Sequence, residues 1–172
     1  MSLDSLEKLF IEELKDIYNA EKQLTKALPR MAKAAESPAL QQAFTSHLKE
    51  TEGQIQRLER VFKELGQAAR GKKCKAMEGL IEEGKELMEE DSEPQVLDAA
   101  LIGAAQKVEH YEIAAYGCLS TYAELLGHPG AAQLLRQNLQ EEEAADKKLN
   151  SLAEGGINES AVMAGAGQEE EE

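Results

Sequence analysis

Apolar residues recur along this chain at alternating steps of four and three, the spacing that builds one buried stripe on an α-helix. The first run is Phe10, Leu14, Ile17, Leu24, Leu28 and Met31. It has one hole at position 21, where the step rule requires a core residue and the sequence places Glu21. A second run, Phe44, His47, Thr51, Gln54, Leu58, Phe62 and Leu65, turns polar in its middle, with Glu50 beside it. The third reads Leu97, Leu101, Ala104, Val108, Tyr111, Ala115, Cys118 and Tyr122, flanked by Glu109 and Glu112. The fourth, Leu135, Asn138, Glu142, Ala145, Leu149 and Leu152, again carries an acid in the core register.

Prolines, glycines and caps divide these runs into elements. The first helix is predicted from Asp4 or Ser5 to about Ser37, with Pro29 kinking it or splitting off its last turn. Ser37-Pro38 reads as the cap and first residue of a second helix that ends at Gly66. GQAARGKKCK is a basic loop, and residues 76–90 form a short helix carrying Met77, Leu80, Ile81, Leu87 and Met88. A third long helix starts at Asp91-Ser92-Glu93-Pro94 and stops at Gly127, and a fourth follows His128-Pro129-Gly130 as far as Leu152. Two antiparallel hairpins joined by a long crossover with its own short helix make an all-α, four-helix bundle. Residues 1–153 are assigned to that bundle. Residues 154–172, ending in four glutamates, are assigned to an acidic, glycine-containing, weakly ordered tail.

The acids in the stripes lie at matching heights. Glu21 stands 16 residues before Ser37 and Glu50 13 after it; Glu112 stands 16 before His128 and Glu142 14 after it. At about 1.5 Å of rise per residue all four reach the middle of the bundle. Ionised carboxylates in an apolar interior must protonate, pair or bind a cation. Lys22, Lys49 and Lys107 lie off the stripes, so cation binding is the expected solution. Adding Glu109 and Asp146 gives a charge of about −6, which two divalent or trivalent ions offset in most part or in full. Gln54, one turn beyond Glu50, adds a neutral oxygen. The expected ligand set is therefore Glu21, Glu50, Gln54, Glu109, Glu112, Glu142 and Asp146.

Composition narrows the function further. The 172 residues carry 33 acidic against 19 basic side chains, a net charge of −14, and no tryptophan. This excludes nucleic acid, whose phosphates require clustered lysine and arginine, and disfavours an anionic membrane surface. No apolar run spans a bilayer and the N-terminus resembles no signal peptide, so a cytoplasmic protein is expected. Cys74 and Cys118 form no disulfide framework and read as buried small hydrophobes. Tyr18 and Tyr111 lie near the acids, either packing in the core or bonding a ligand. His110 is expected in the core, at an interface or in the site.

The order of acids, one on each of the first two helices, Glu109-x-x-Glu112 on the third and Glu142 on the fourth, resembles the ferritin-like di-iron carboxylate proteins, rubrerythrin-like members especially. KDIYNAEKQL, AFTSHLKETEGQI, CKAMEGLIEE, DAALIGAAQKVEHYEIAAYG and EEEAADKKL resemble more narrowly the bacterial YciF/YciE-type stress-response proteins, over roughly residues 3 to 153. The resemblance implies a ferritin-like bundle, a dinuclear metal centre and a homodimer. Iron is the expected ion, with manganese or magnesium as alternatives, and O2 or H2O2 are the expected small partners. The family pattern of Glu-x-x-His on two helices is broken: three residues after Glu50 stands Gly53, and three after Glu142 stands Ala145. The ligand role is carried onto Gln54 and Asp146, which makes the shell harder and all-oxygen.

Alternatives stay open at this point. Glu143-x-x-Asp146 competes with Glu142 as the register on the fourth helix. His47 either ligates or, as the favoured reading, donates a hydrogen bond to a ligating carboxylate. Tyr116 and Tyr122 with nearby leucines are a candidate dimer face. Three functions fit: a di-iron oxidoreductase of ferroxidase or peroxidase type, a metal-stabilised structural or protective bundle, and a metal-free helical adaptor for a basic partner.

Overall fold

A computed structural model describes residues 3–166, and these are helical nearly throughout. Helix α1 is Leu6–Ala34, α2 Pro38–Glu64, α3 Lys75–Glu89, α4 Pro94–Leu125 and α5 Pro129–Leu152; a wide π-helical turn, Ala153–Ile157, leads into α6, Asn158–Ala166. Helices α1 and α2 form one antiparallel hairpin and α4 and α5 the other, and they pack as α1 on α4 and α2 on α5. Helix α3 lies on the crossover and covers α4 and α1. This is the ferritin-like arrangement of two hairpins with one long connection.

The helix starts follow from side chains that accept the free N–H groups of a first turn. Ser5 caps α1 through Lys8 N and Ser37 caps α2 through Leu40 N. The Cys74 sulfur plays that part for α3, accepting from Met77 N at 3.4 Å. Gly66 and Gly127 close α2 and α4 with φ of 65° and 77°, a conformation that side chains with a Cβ resist. Helix α1 continues through Pro29 as one element to Ala34.

Two long-range devices fix the hairpins against each other. Asp98 of α4 accepts the backbone N–H groups of Glu36 and Ser37, each at 2.8 Å, and so ties the α1–α2 turn to the second hairpin. The crossover is held to α1 by Asn19 Oδ1, which accepts from Cys74 N at 2.8 Å, and by Gln23 Nε2, which donates to Cys74 O at 3.1 Å. Gly71 passes so close to Asn19 that a Cβ there would sit 3.0 Å from the asparagine Cβ.

The α1 stripe is buried as the pattern predicts, Glu21 included, and so is most of the α5 stripe. On α4 the predicted register needs correction beyond Val108. The buried seam runs Val108, Glu112, Tyr116, Leu119 and Ala123, whereas Tyr111 and Tyr122 are half-buried and Cys118 is exposed. Helix α4 packs against α1, α3, α5 and α6, so it buries more than one stripe and its periodicity is blurred. Tyr116 is completely buried, which removes it from the expected dimer face. His110 is not a core residue: its side chain is exposed.

The expected weakly ordered tail is helical as far as Ala166. Gly156, at φ 133°, turns the chain after α5 so that α6 folds back along α4. The terminal glutamates lie outside the described residues. No helix among the described residues is long and apolar enough to cross a membrane.

Candidate metal centre

At mid-bundle, His47, Glu109, Glu112 and Glu142, all buried, each offer one ligand atom, and these atoms lie within 4.8 Å of one another. Glu21 joins them from α1: its carboxyl and that of Glu112 shift one another, and it is itself completely buried. Every long helix therefore contributes one side chain or more. The stripe geometry places Glu21, Glu112 and Glu142 there, since each sits in the seam of its helix.

The second helix buries the stripe that its spacing predicts, but the residue expected to ligate from it does not face inward. His47, Thr51 and Gln54 occupy the buried seam of α2, while Glu50 stands rotated off it with 46% of its side chain exposed. At about 100° per residue Glu50 falls roughly 60° to one side of His47, on the rim. Glu50 Oε2 meets His47 Nδ1 at 3.1 Å. The histidine, read from the sequence as a support for a ligating carboxylate, is thus the group that faces the cluster, and Glu50 supports it. His47 Nε2 lies 3.2 Å from Glu109 Oε1 and 3.5 Å from Glu142 Oε2, without the alignment of a hydrogen bond to either.

Gln54 and Asp146 are not part of the cluster of four. Gln54 is buried in the next layer, where its Nε2 donates to Glu141 Oε2 at 3.2 Å. Asp146 lies toward the surface beside Gln106 Nε2 at 3.3 Å and His110 Nε2 at 3.4 Å. On α5 the register is Glu142, because Glu143 is exposed. Tyr18 donates to Glu59 and Tyr111 to Asp16, so neither touches the cluster.

Two features were missed. Tyr116 donates its hydroxyl to Glu21 Oε1, a contact that the misplaced α4 stripe concealed. Arg57 reaches between α2 and α5 and forms a two-pronged pair with Glu141, one arm at 2.8 Å, while also bonding Asn138. Arg57 follows Gln54 by three residues and shares its face, the spacing that points to a partner one turn along. This guanidinium is committed to Glu141, so it does not neutralise the central acids.

The electrostatics state the problem in numbers. Burial pushes the Glu21 carboxyl up to about 7, against the Tyr116 hydrogen bond that pulls it down. Burial pushes Glu109 up to about 8, tempered by the closeness of Glu142. Glu112 and Glu142 are raised well above the carboxylate range, first by burial and then by neighbouring carboxylates. For His47 burial favours the neutral ring, but the bond to Glu50 and the charges of Glu142 and Glu21 outweigh it and raise the pKa. Glu21 Oε2, His47 Nε2, Glu109 Oε2 and both oxygens of Glu112 and Glu142 are buried without a hydrogen-bond partner. Buried polar atoms in folded proteins are almost always satisfied, so seven such atoms facing one another fit a bound cation. One imidazole and four carboxylates suit iron, manganese or zinc more than magnesium, which prefers oxygen alone.

Comparison with known proteins agrees with the fold and the strings quoted above. The family described as Domain of unknown function (DUF892) matches residues 5–162. Protein YciF of Escherichia coli (strain K12) is 51% identical over 162 residues, covering 94% of this chain and 98% of that protein. The crystal structure of the E. coli stress protein YciF superposes with a TM-score of 0.87, covering 91% of this chain and 99% of that one at 51% identity. YcfI of Rhodopseudomonas palustris, titled a structural protein, gives a TM-score of 0.85 at 50% identity, with 88% and 98% covered. A Xanthomonas campestris protein, 23% identical with a TM-score of 0.71 over 96% of this chain and 98% of its own, shares the fold.

Proposed function

From its membership of the DUF892 family, to which this chain belongs, we propose that the protein is a stress protein whose bundle centre holds two metal ions and reacts through them with O2 or peroxide. The observation that carries this reading is the set of seven unpartnered buried atoms on Glu21, His47, Glu109, Glu112 and Glu142. Four ionised carboxylates carry a charge of about −4, which two divalent ions balance and one leaves half uncompensated. Glu112 and Glu142, each with both oxygens unpartnered, would hold the ions together with His47, Glu109 and Glu21.

The surrounding residues prepare those ligands. Glu50 accepts the Nδ1 proton of His47, which leaves the Nε2 lone pair directed at the cluster. Tyr116 engages one oxygen of Glu21 and leaves Oε2 free. Bound iron or manganese would supply the redox chemistry toward O2 or peroxide. The same reading places the protein in the cytoplasm, where its two cysteines remain thiols, and as a homodimer.

Elemental analysis of protein purified without chelator is expected to give two metals per chain. The number should fall to zero in Glu142→Ala and in Glu112→Ala. Protein that binds no transition metal after loading defeats the reading. A metal-stabilised structural bundle is the second reading, favoured by the naming of YcfI as a structural protein. Mixing the Fe(II)-loaded protein with O2 or peroxide separates the two, because only the first predicts accelerated formation of ferric iron.

A further inference from the structure

Between α2 and α5 the bundle is closed in one half and open in the other. Beyond the metal-centre level, Gln54, Arg57, Asn138 and Glu141 fasten the two helices together. On the opposite side the facing positions are Ala39 and Ala43 of α2 and Ala144 and Ala145 of α5, which are too small to fill the space. A groove of about 440 Å³ opens there and reaches across the bundle to Leu24, Leu28 and Met31 of α1. It ends inward at His47 and Glu109. Close-packed interiors rarely leave so large a space, whereas ligand sites commonly have it.

Shape and charge define the occupant. Lining residues on α2 run from Ala39 to Glu50, about 16 Å at 1.5 Å per residue. The mean cross-section is then about 28 Å², the girth of a hydrocarbon chain rather than of a fused ring system. At about 30 Å³ per water-sized unit the volume takes roughly ten to twelve carbons and a small head group. Lys148 stands on the exposed rim and makes no ion pair with a described residue. It lies six residues beyond Glu142 on α5, so an anionic head at Lys148 stays about 9 Å along the axis from the buried acids. The rim carries alanine, glutamine and serine, with the half-exposed Glu50 at the metal-centre end and Lys148 farther out, and lacks the aromatic and methionine anchors of protein interfaces. Val96 and Leu125 of α4 and Val162 and Met163 of α6, the large exposed apolar side chains of those helices, do not line it.

We propose that this groove binds one single-chain amphiphile of roughly ten to twelve carbons, its chain on Leu24, Leu28 and Met31 and its anionic head at Lys148. Binding rests on the groove alone. Resting further on the metal-centre reading, the end of the chain is the part presented to the centre, which makes a hydrocarbon-chain amphiphile its substrate class.

Calorimetric titration of the chelator-treated full-length protein with sodium decanoate, below its micelle concentration, tests the proposal. Saturable binding of one decanoate per chain is expected. Ala145→Phe, which fills the groove, should weaken it at least tenfold while the melting temperature is retained, and Ala43→Leu serves the same purpose should the first variant fail to fold. Lys148→Glu should weaken decanoate about tenfold and leave 1-decanol unchanged. Absence of saturable decanoate binding, or undiminished binding by the folded filled variant, overturns the proposal. So does a wild type that binds no decanoate and whose dimer dissociates in the filled variant, since the groove then receives a second copy. Equal decanoate binding by Lys148→Glu overturns the placement of the head. Protein that binds decanoate yet never takes up metal rejects the metal centre and leaves the groove standing.

Discussion

At the scale of single residues, Glu112 shows what the centre demands of its ligands. Both its oxygens are buried and unpartnered, and its pKa is raised well above the carboxylate range by burial. Without metal such a group holds its proton, and metal binding must displace it. The pH dependence follows in sign. Glu21 and Glu109, raised from about 4.5 to about 7 and about 8, contribute stability that is full below the unfolded value of 4.5. That stability is lost as pH rises through their folded values. Chelated protein should therefore become less stable between pH 4.5 and 8, while metal affinity rises over the same range; denaturant melts and metal competition titrations check the two slopes. Glu50 is distinguished from the buried acids by its place on the rim. Glu50→Gln should lower metal affinity about 10- to 100-fold by freeing the His47 ring, without abolishing binding as Glu142→Ala does.

At the scale of elements, the hairpins were legible because caps and glycines mark their ends and the α1 and α5 stripes are interrupted only by Glu21 on the first and by Asn138 and Glu142 on the second. Helix α4 was misread beyond Val108 for a physical reason: a helix covered on several sides has no single apolar face, so a period of alternating threes and fours selects the wrong seam. The same error hid the contact of Tyr116 with Glu21. The α1–α2 turn shows a dependence that no local pattern carries, since its two N–H groups are satisfied by Asp98 from another hairpin. Asp98→Ala should cost about 1.5–3 kcal/mol, the range for hydrogen bonds to a charged group. Chemical denaturation of the chelated protein measures that loss with the metal contribution removed.

For the whole molecule, the bundle carries a layer of buried acids whose charge is uncompensated without a cation, and the proposed metal centre predicts that loading stabilises the fold. Metal at about 100 times its dissociation constant should add about 2.7 kcal/mol, seen as a melting temperature that climbs with metal concentration. Glu142→Leu should raise the stability of the chelated protein above that of the unsubstituted chain, because an uncompensated buried carboxylate is replaced by an apolar side chain. Helix positions, the two hairpins, the crossover and a level of acids at mid-bundle were determined by the sequence alone, through periodicity, capping residues and constant helical rise. Which side chains at that level turn inward was decided only by tertiary structure. His47 rather than Glu50, Glu142 rather than Glu143, and Tyr116 on Glu21 depend on how far each helix is rotated about its own axis. That rotation is set by packing against all its neighbours at once, and residue spacing along one helix carries only its own share of it.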